Sequence, residues 1–469
     1  MIITSIDIGS TWTKGAAFRM SSCGTLHLLA QASRPTSVNN LSDSFFEVYR
    51  TLEQSGASDQ LFYSSSAKGG LSVAALGIVP EVTSEMARIA AYSAGAKLSQ
   101  VYSYRLTRDD IVALEDAPPD ILLFAGGTDG GHTDCVLYNA AAIAASTLTC
   151  PIVYAGNRSI QYEVTDLLSG RDVTCVENLL PALERPNPEP ARLAMREVFL
   201  ASIVSGKGLD IIVEATGEEP TPTPYAIYEY SEHIRAHVPG WEEFMLIDLG
   251  GATTDVYSCH QEQLVSGTVR RGLPEPLVKR TVEGDLGMRV SAVTTAIAGD
   301  DLIQGMLLQT GYANEAFRAH LDQVFKNPDT IPEDMAGRVF DDALAGTCVV
   351  NACSRHAGRI HQVSKTDGLV NVQTGRDLSG IRRVIGSGGY LSRVEQFDPN
   401  PWLACLALDE QGKEILTPRN VRFYRDKHYL FPLLANVARG YPEAAAHAGI
   451  AQLNASTEAA ARELTTHAL

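Results

Sequence analysis

Three stretches of this chain combine acids, hydroxyls and glycines in patterns that could handle a phosphate. Asp7-Ile8-Gly9-Ser10-Thr11-Trp12-Thr13-Lys14 sets a glycine turn after an apolar, β-branched run, with an acid before it and a lysine after it. Glycine lets the backbone approach an anion closely, and the amides of such a turn point at it. Ser10 and Thr11 add hydroxyl donors, and Asp7 can hold a hydrated Mg2+ through its waters. Asp248-Leu249-Gly250-Gly251-Ala252-Thr253-Thr254-Asp255 puts two carboxylates seven residues apart around a Gly-Gly turn. A hairpin there would bring both acids to one end of a sheet, where they could share a metal or orient a water. Val384-Ile385-Gly386-Ser387-Gly388-Gly389 is strand-like and then nearly bare of side chains, which suits a flat ligand lying against backbone. Each pattern alone also describes an ordinary turn.

Strands must end at these turns, and the periodicity supplies them. Ile2 to Ile8 reads as a strand, followed at hairpin spacing by Lys14–Arg19 and Leu26–Ala32. Helical periodicity covers Leu41–Gln54 and Val82–Ala96. Ile121–Phe124 and Pro151–Tyr154 are short apolar strands, separated by an alanine-rich helix at about Cys135–Ser146. Pro186–Pro190 breaks the chain before a helix at about Ala191–Ser205, and Gly217–Pro224 reads as a linker or surface loop. Such alternation predicts an α/β chain with a central sheet. The opening scheme then recurs, because Ile247-Asp248-Leu249-Gly250 repeats Ile6-Asp7-Ile8-Gly9. Two related domains are therefore expected, residues 1–241 and 242–428. Residues 429–469, helical from about Tyr429 to Ala461, are expected to pack back on the first domain.

Composition excludes several classes. A chain of 469 residues with 45% hydrophobic and 20% charged residues has the make-up of a two-domain globular protein. Its net charge of −17 repels nucleic acid and anionic membrane alike. No run approaches the ~18 apolar residues of a membrane helix, and the first residues carry no basic leader. The eight cysteines form no C-x-x-C pair, and read as buried thiols in a reducing compartment. A cytoplasmic protein is expected.

In order and spacing, the three glycine segments resemble the first phosphate, second phosphate and adenosine motifs of one ATPase superfamily, that of actin, the heat-shock chaperones and the sugar kinases. The resemblance implies two actin-like, ribonuclease H-like domains flanking a nucleotide cleft. ATP or ADP would be held by Gly9, Ser10, Thr11, Lys14, Gly250, Gly251, Thr253, Thr254 and Gly386 to Gly389. Mg2+ would be held through water by Asp7, Asp248 and Asp255.

A narrower likeness rests on Ala125-Gly126-Gly127-Thr128-Asp129-Gly130-Gly131, Asn157-Arg158 and Arg280-Thr281-Val282-Glu283-Gly284-Asp285-Leu286-Gly287. These resemble the glutamate mutase MutL-type family over essentially the whole chain. That implies an ATPase accessory protein of chaperone type for an adenosylcobalamin-dependent mutase. Strand order would bring Gly126, Gly127, Thr128 and Asp129 to the cleft, where Asp129 either orients the attacking water alongside Asp7, Asp248 and Asp255 or is a turn residue between glycines. Arg280 and Arg289 either touch the nucleotide or tie a helix down. The chain is not expected to bind cobalamin itself, since Asp426-Lys427-His428 approaches a D-x-H-x-x-G signature but Phe431 holds the glycine position. A small-molecule kinase and a non-catalytic actin-like scaffold stay open beside the accessory role.

Overall fold

The computed structural model describes residues 1–37, 39–66, 72–94, 96–183, 185–204, 208–262, 264–365 and 368–453. The β-branched opening run forms β1 (Ile2–Ile8), which turns at Gly9 into β2 (Trp12–Met20) and again into β3 (Leu26–Pro35). After a helix, Leu41–Glu53, β4 (Gln60–Ser65) returns parallel to β1. The chain then builds a separate, wholly parallel sheet from β5 (Ser72–Gly77), β6 (Lys97–Ser103), β7 (Ile121–Phe124), β8 (Ile152–Tyr154) and β9 (Val173–Cys175). The unbroken apolar runs of β7 and β8 are what burial on both faces demands. Two residues, β10 (Thr221–Pro222), rejoin the first sheet, giving the order β10-β4-β1-β2-β3.

The second half repeats that plan. β11 (Phe244–Leu249), β12 (Thr254–Cys259), β13 (Thr268–Arg271) and β14 (Val278–Glu283) are followed by helices, then by β15 (Arg359–Lys365) and β16 (Gly368–Thr374). β17 (Arg383–Gly388), β18 (Glu414–Ile415) and β19 (Arg422–Arg425) complete it. The main sheet runs β14-β12-β11-β17-β19, and the others form a small sheet, β13-β16-β15-β18. In both main sheets a three-stranded antiparallel meander carries two parallel strands beside its first strand. This ribonuclease H-like order, present twice, is the α/β fold expected for two actin-like domains.

The period of two along a strand decides what faces the cleft. Ile6 and Ile8 pack under the helix Leu41–Glu53, whereas Ile3 faces a layer shared with the second half. Met245, Ile247 and Leu249 pack under the helix Met335–His356, whereas Phe244 and Leu246 face the same shared layer. Helices Thr223–His237 and Phe431–Ala438 fill that layer through residues such as Ile227, Tyr230, Leu434 and Val437. Asp7 is in step with Ile3, and Asp248 with Phe244 and Leu246, so both acids fall on the inward side of their sheets.

Several local expectations need correction. Gly217–Pro224 is a surface loop only at its start: Gly217, Glu218 and Glu219 are exposed, whereas Thr221 and Pro222 are buried strand and Thr223 opens a helix. The helix expected from Ala191 already begins at Glu189, with Pro190 in its first turn, where a missing amide costs nothing. Its expected end at Ser205 lies outside the described residues. Residues 442–453 are helical, and positions 454–461 of the expected C-terminal helix lie outside the described residues. All eight cysteines are unpaired, but Cys23 and Cys405 are exposed, one in a hairpin turn and one ending a short helix. No described helix is long and apolar enough to cross a membrane.

Candidate functional site

The two phosphate-type turns are closed by the same bond. Gly9 N donates to Trp12 O at 3.1 Å, and Gly250 N donates to Thr253 O at 2.9 Å. A Cβ at Gly9 would lie 2.7 Å from Trp12 O, and one at Gly250 would lie 3.0 Å from Thr253 O, so a side chain at either would force the turn open. The register then pairs Asp7 with Lys14 and Asp248 with Asp255. The same two positions thus hold acid and lysine in one half, and acid and acid in the other. The turns face each other, since a Cβ on Gly251 would sit 4.0 Å from Thr11 Oγ1. Between them lies a cavity of about 660 Å3, lined by Gly9–Trp12 and Lys14 on one side and by Asp248, Gly250–Thr253 and Asp255 on the other. Gly388, held at φ 91°, and Gly389 also line it. The volume is in the range of small-ligand sites.

Electrostatics concentrate at the inner end. Asp7 accepts from Thr223 Oγ1 (2.6 Å), Ser64 Oγ (2.9 Å) and Tyr429 OH (3.3 Å). Burial still holds its carboxyl above the usual range, against those bonds and Lys14. Lys14 Nζ lies 3.2 Å from the centroid of the Tyr429 ring. Burial lowers its pKa, while Asp7, Asp248 and Asp426 work to restore it. The Asp248 carboxyl is pushed up to about 7, first by burial and then by Asp255 across the hairpin. Asp255 is held by Arg280, whose Nε and a terminal amino group donate to Oδ1 at 2.8 and 2.5 Å. Arg280 also donates to Tyr92 O (2.7 Å) and Ala96 O (3.3 Å), at the end of the helix Pro80–Ser93. Burial opposes the Arg280 charge and Asp255 more than offsets it, so its pKa is raised. Among the described residues no group of three or more His, Cys, Asp or Glu is placed to hold a metal directly. A Mg2+ here would be held through water.

Comparison with known proteins agrees with this plan: residues 3–452 match the family model described as MutL protein. The chain belongs to the MutL family. The relative "Protein MutL" of Clostridium tetanomorphum is 34% identical over 453 residues, covering 94% of this chain and 96% of that protein. Among solved structures, a glycerol dehydratase reactivase is 10% identical with a TM-score of 0.36, covering 93% of this chain and 100% of that one. The nucleotide-free diol dehydratase-reactivating factor is 10% identical with a TM-score of 0.33, covering 94% and 99%. At such scores the likeness adds nothing to the strand pairing described above.

Within this MutL-family fold, the sequence-predicted residues divide. Gly9, Ser10, Thr11, Lys14, Asp248, Gly250, Gly251, Thr253, Asp255, Gly388 and Gly389 share the cavity wall. Asp7 lies buried behind it. Thr254 is turned away, its hydroxyl donating to Leu286 O. Gly386 is inside β17, where an added Cβ would strike the Phe423 ring, and Ser387 Oγ donates to Asp426. Gly126, Gly127, Thr128 and Asp129 do not line the cleft. Their strand, β7, belongs to the parallel sheet, and Asp129 Oδ1 accepts from Asn178 Nδ2 (2.9 Å) and Arg158 N (3.1 Å) within that same sheet's loops. Asn157 fastens the loop by accepting from Gly130 N at 2.9 Å, which ties the G-G-T-D-G-G element to Asn157-Arg158. Arg289 ties Asp341 on the helix Met335–His356, so it serves packing. The Gly284–Gly287 element is a buttress: Met288 N and Arg289 N donate to Gly250 O and Gly251 O, and Gly287 has no room for a Cβ against Ala252.

Residues not singled out for the site from the sequence complete it. Asp426 accepts from Leu430 N (2.7 Å), Ser387 Oγ (2.8 Å) and Phe431 N (3.1 Å). Thr223, Ser64 and Tyr429 seat Asp7. Only Asp426 left a readable trace, as an acid shortly before an apolar helix.

The raised Asp248 carboxyl makes a pH prediction for the metal-free protein. With a folded value of about 7 against an ordinary 3.8, the fold binds a proton that the unfolded chain releases. Stability therefore falls as pH rises between those values, and stays low above about 7. Asp248→Asn removes that titration. Thermal unfolding across pH should find the variant more stable than wild type above pH 7, with the gap closing toward pH 4. A gap that does not change with pH would show Asp248 ionised throughout.

Proposed function

We propose that this chain is an ATP-dependent accessory protein that restores an adenosylcobalamin-dependent mutase carrying damaged cofactor. The observation that supports it best is the pair of like turns on opposite halves facing one cavity. The residues present fit a Mg-nucleotide: bare amides at Gly9–Thr11 and Gly250–Thr253 for phosphates, Lys14 for their charge, and Gly388–Gly389 for the nucleoside. Asp7, Asp248 and Asp255 would organise the waters of Mg2+. ATP bound there would supply a phosphoanhydride whose loss makes the cycle directional. Contacts to both turns would favour the closed cleft, and their loss on hydrolysis would favour the open one. Two states with different affinity for a client are what prising out a tightly held corrinoid needs, because a single state could only bind and stay. The family membership and the motif resemblance point to the mutase as client, and the acidic chain carries no cobalamin motif of its own.

The test mixes an inactivated adenosylcobalamin-dependent mutase, fresh adenosylcobalamin and this protein, with ATP or a non-hydrolysable analogue. Recovery should require both this protein and hydrolysable ATP. Equal recovery without the protein would reject the accessory role. Phosphoryl transfer to an added small hydroxyl compound would favour a kinase instead, and nucleotide-dependent pelleting a scaffold.

A further inference from the structure

A second cavity, of about 580 Å3, lies between the helix Pro80–Ser93 and the strands β14 and β16. Arg280 is the one residue that it shares with the wall of the cleft. Seven of its lining residues are Arg or Lys and two, Glu85 and Glu275, are acidic, in a chain of net charge −17. Some of these cations are answered. Lys279 meets Glu275 at 2.7 Å, Arg280 meets Asp255, and Arg355 meets Glu283 and Asp285. Arg359 is engaged as well, with Asp409 at 3.5 Å and its terminal amino groups donating to Ser354 O (2.8 Å), Ala357 O (2.9 Å) and Ser354 Oγ (3.2 Å). Arg88 and Lys413 have no carboxylate within 4.0 Å among the described residues.

A further charge stands beside the wall. Arg376 is 1% exposed, and its guanidinium meets only neutral oxygens of Ser258, Leu277 and Pro276, with Nε unpartnered. Burial pushes its pKa down, and Glu275 and Tyr228, both on the cavity wall, are among the groups that act on it. A buried guanidinium without a carboxylate is costly, and it is tolerated where an anion completes its surroundings. Glu85 is partly engaged, since its Oε2 accepts from Leu273 N at 3.2 Å.

We propose that this cavity is a binding site for a small polyanion, held by the guanidinium of Arg88 and the ammonium of Lys413, with Arg376 behind the wall at Pro276. The volume suits a metabolite-sized ligand, and guanidinium forks match phosphate and carboxylate oxygens alike. The site stands independently of the nucleotide cleft, since Arg88 and Lys413 line only this cavity.

Titration calorimetry on the full chain, with Mg-ADP in excess, tests this with two probes. Pyrophosphate stands for the phosphate source and citrate for the carboxylate source. At least one should bind at one to one, and Arg88→Ala with Lys413→Ala should weaken it about tenfold or more. The thermal midpoint and the ADP titration of that double variant should match wild type. No binding of either probe at millimolar concentration overturns the site. So does binding that the double variant leaves undiminished.

Discussion

Arg280→Ala should lower the unfolding free energy by about 3–5 kcal/mol, as expected when one partner of a buried ion pair is removed. Arg280 and Asp255 are 5% and 9% exposed, and the guanidinium spends every donor group on Asp255, Tyr92 O and Ala96 O. Truncation would strand the Asp255 carboxylate near Asp248 and take a donor from the carbonyls of Tyr92 and Ala96. Chemical denaturation reads the loss directly. The double variant Arg280→Met with Asp255→Leu should regain much of it, because it removes both charges and retains apolar volume. A loss below about 1 kcal/mol in Arg280→Ala would mean that water reaches the pair and screens it. The contact joins the second half's hairpin to the helix Pro80–Ser93, so the same variant should also loosen the seam between the halves.

What could be read beforehand followed from local chemistry. Asp7 and Asp248 each end an apolar run before a glycine turn, and that scheme occurs twice, so their place at the two facing turns was legible. The turn glycines were legible for the same reason, since only a residue without Cβ fits beside Trp12 O or Thr253 O. Asp129 misled because four apolar residues before a glycine loop look alike in any buried parallel strand. Nothing in Ile121–Phe124 says that it pairs with β5 and β8 and not with β1. Asp426 left only an acid ahead of an apolar helix to read, because its partner Ser387 is 39 residues away and no glycine turn marks it. Tyr429 was hidden for another reason. It holds φ 52°, a left-handed conformation uncommon for a tyrosine, and only the packed fold brings its hydroxyl to Asp7 and its ring to Lys14.

A Mg-nucleotide held between the two glycine turns should stabilise the fold, and ligand-dependent unfolding reads that gain. With Mg-ATP at about a hundred times its Kd, linkage stabilises the binding-competent fold by about 2.7 kcal/mol. Asp248→Asn keeps the hairpin but removes a charge that organises the metal's waters, so its gain at the same nucleotide concentration should be clearly smaller. Chelating Mg2+ should reduce the wild-type gain toward that of the variant. The measurement is the thermal unfolding of both proteins, with and without Mg-ATP, at pH 8, where Asp248 is ionised. A wild-type midpoint that rises with nucleotide, and rises less in Asp248→Asn, is the expected result. A wild-type midpoint that saturating Mg-ATP leaves unmoved would contradict it.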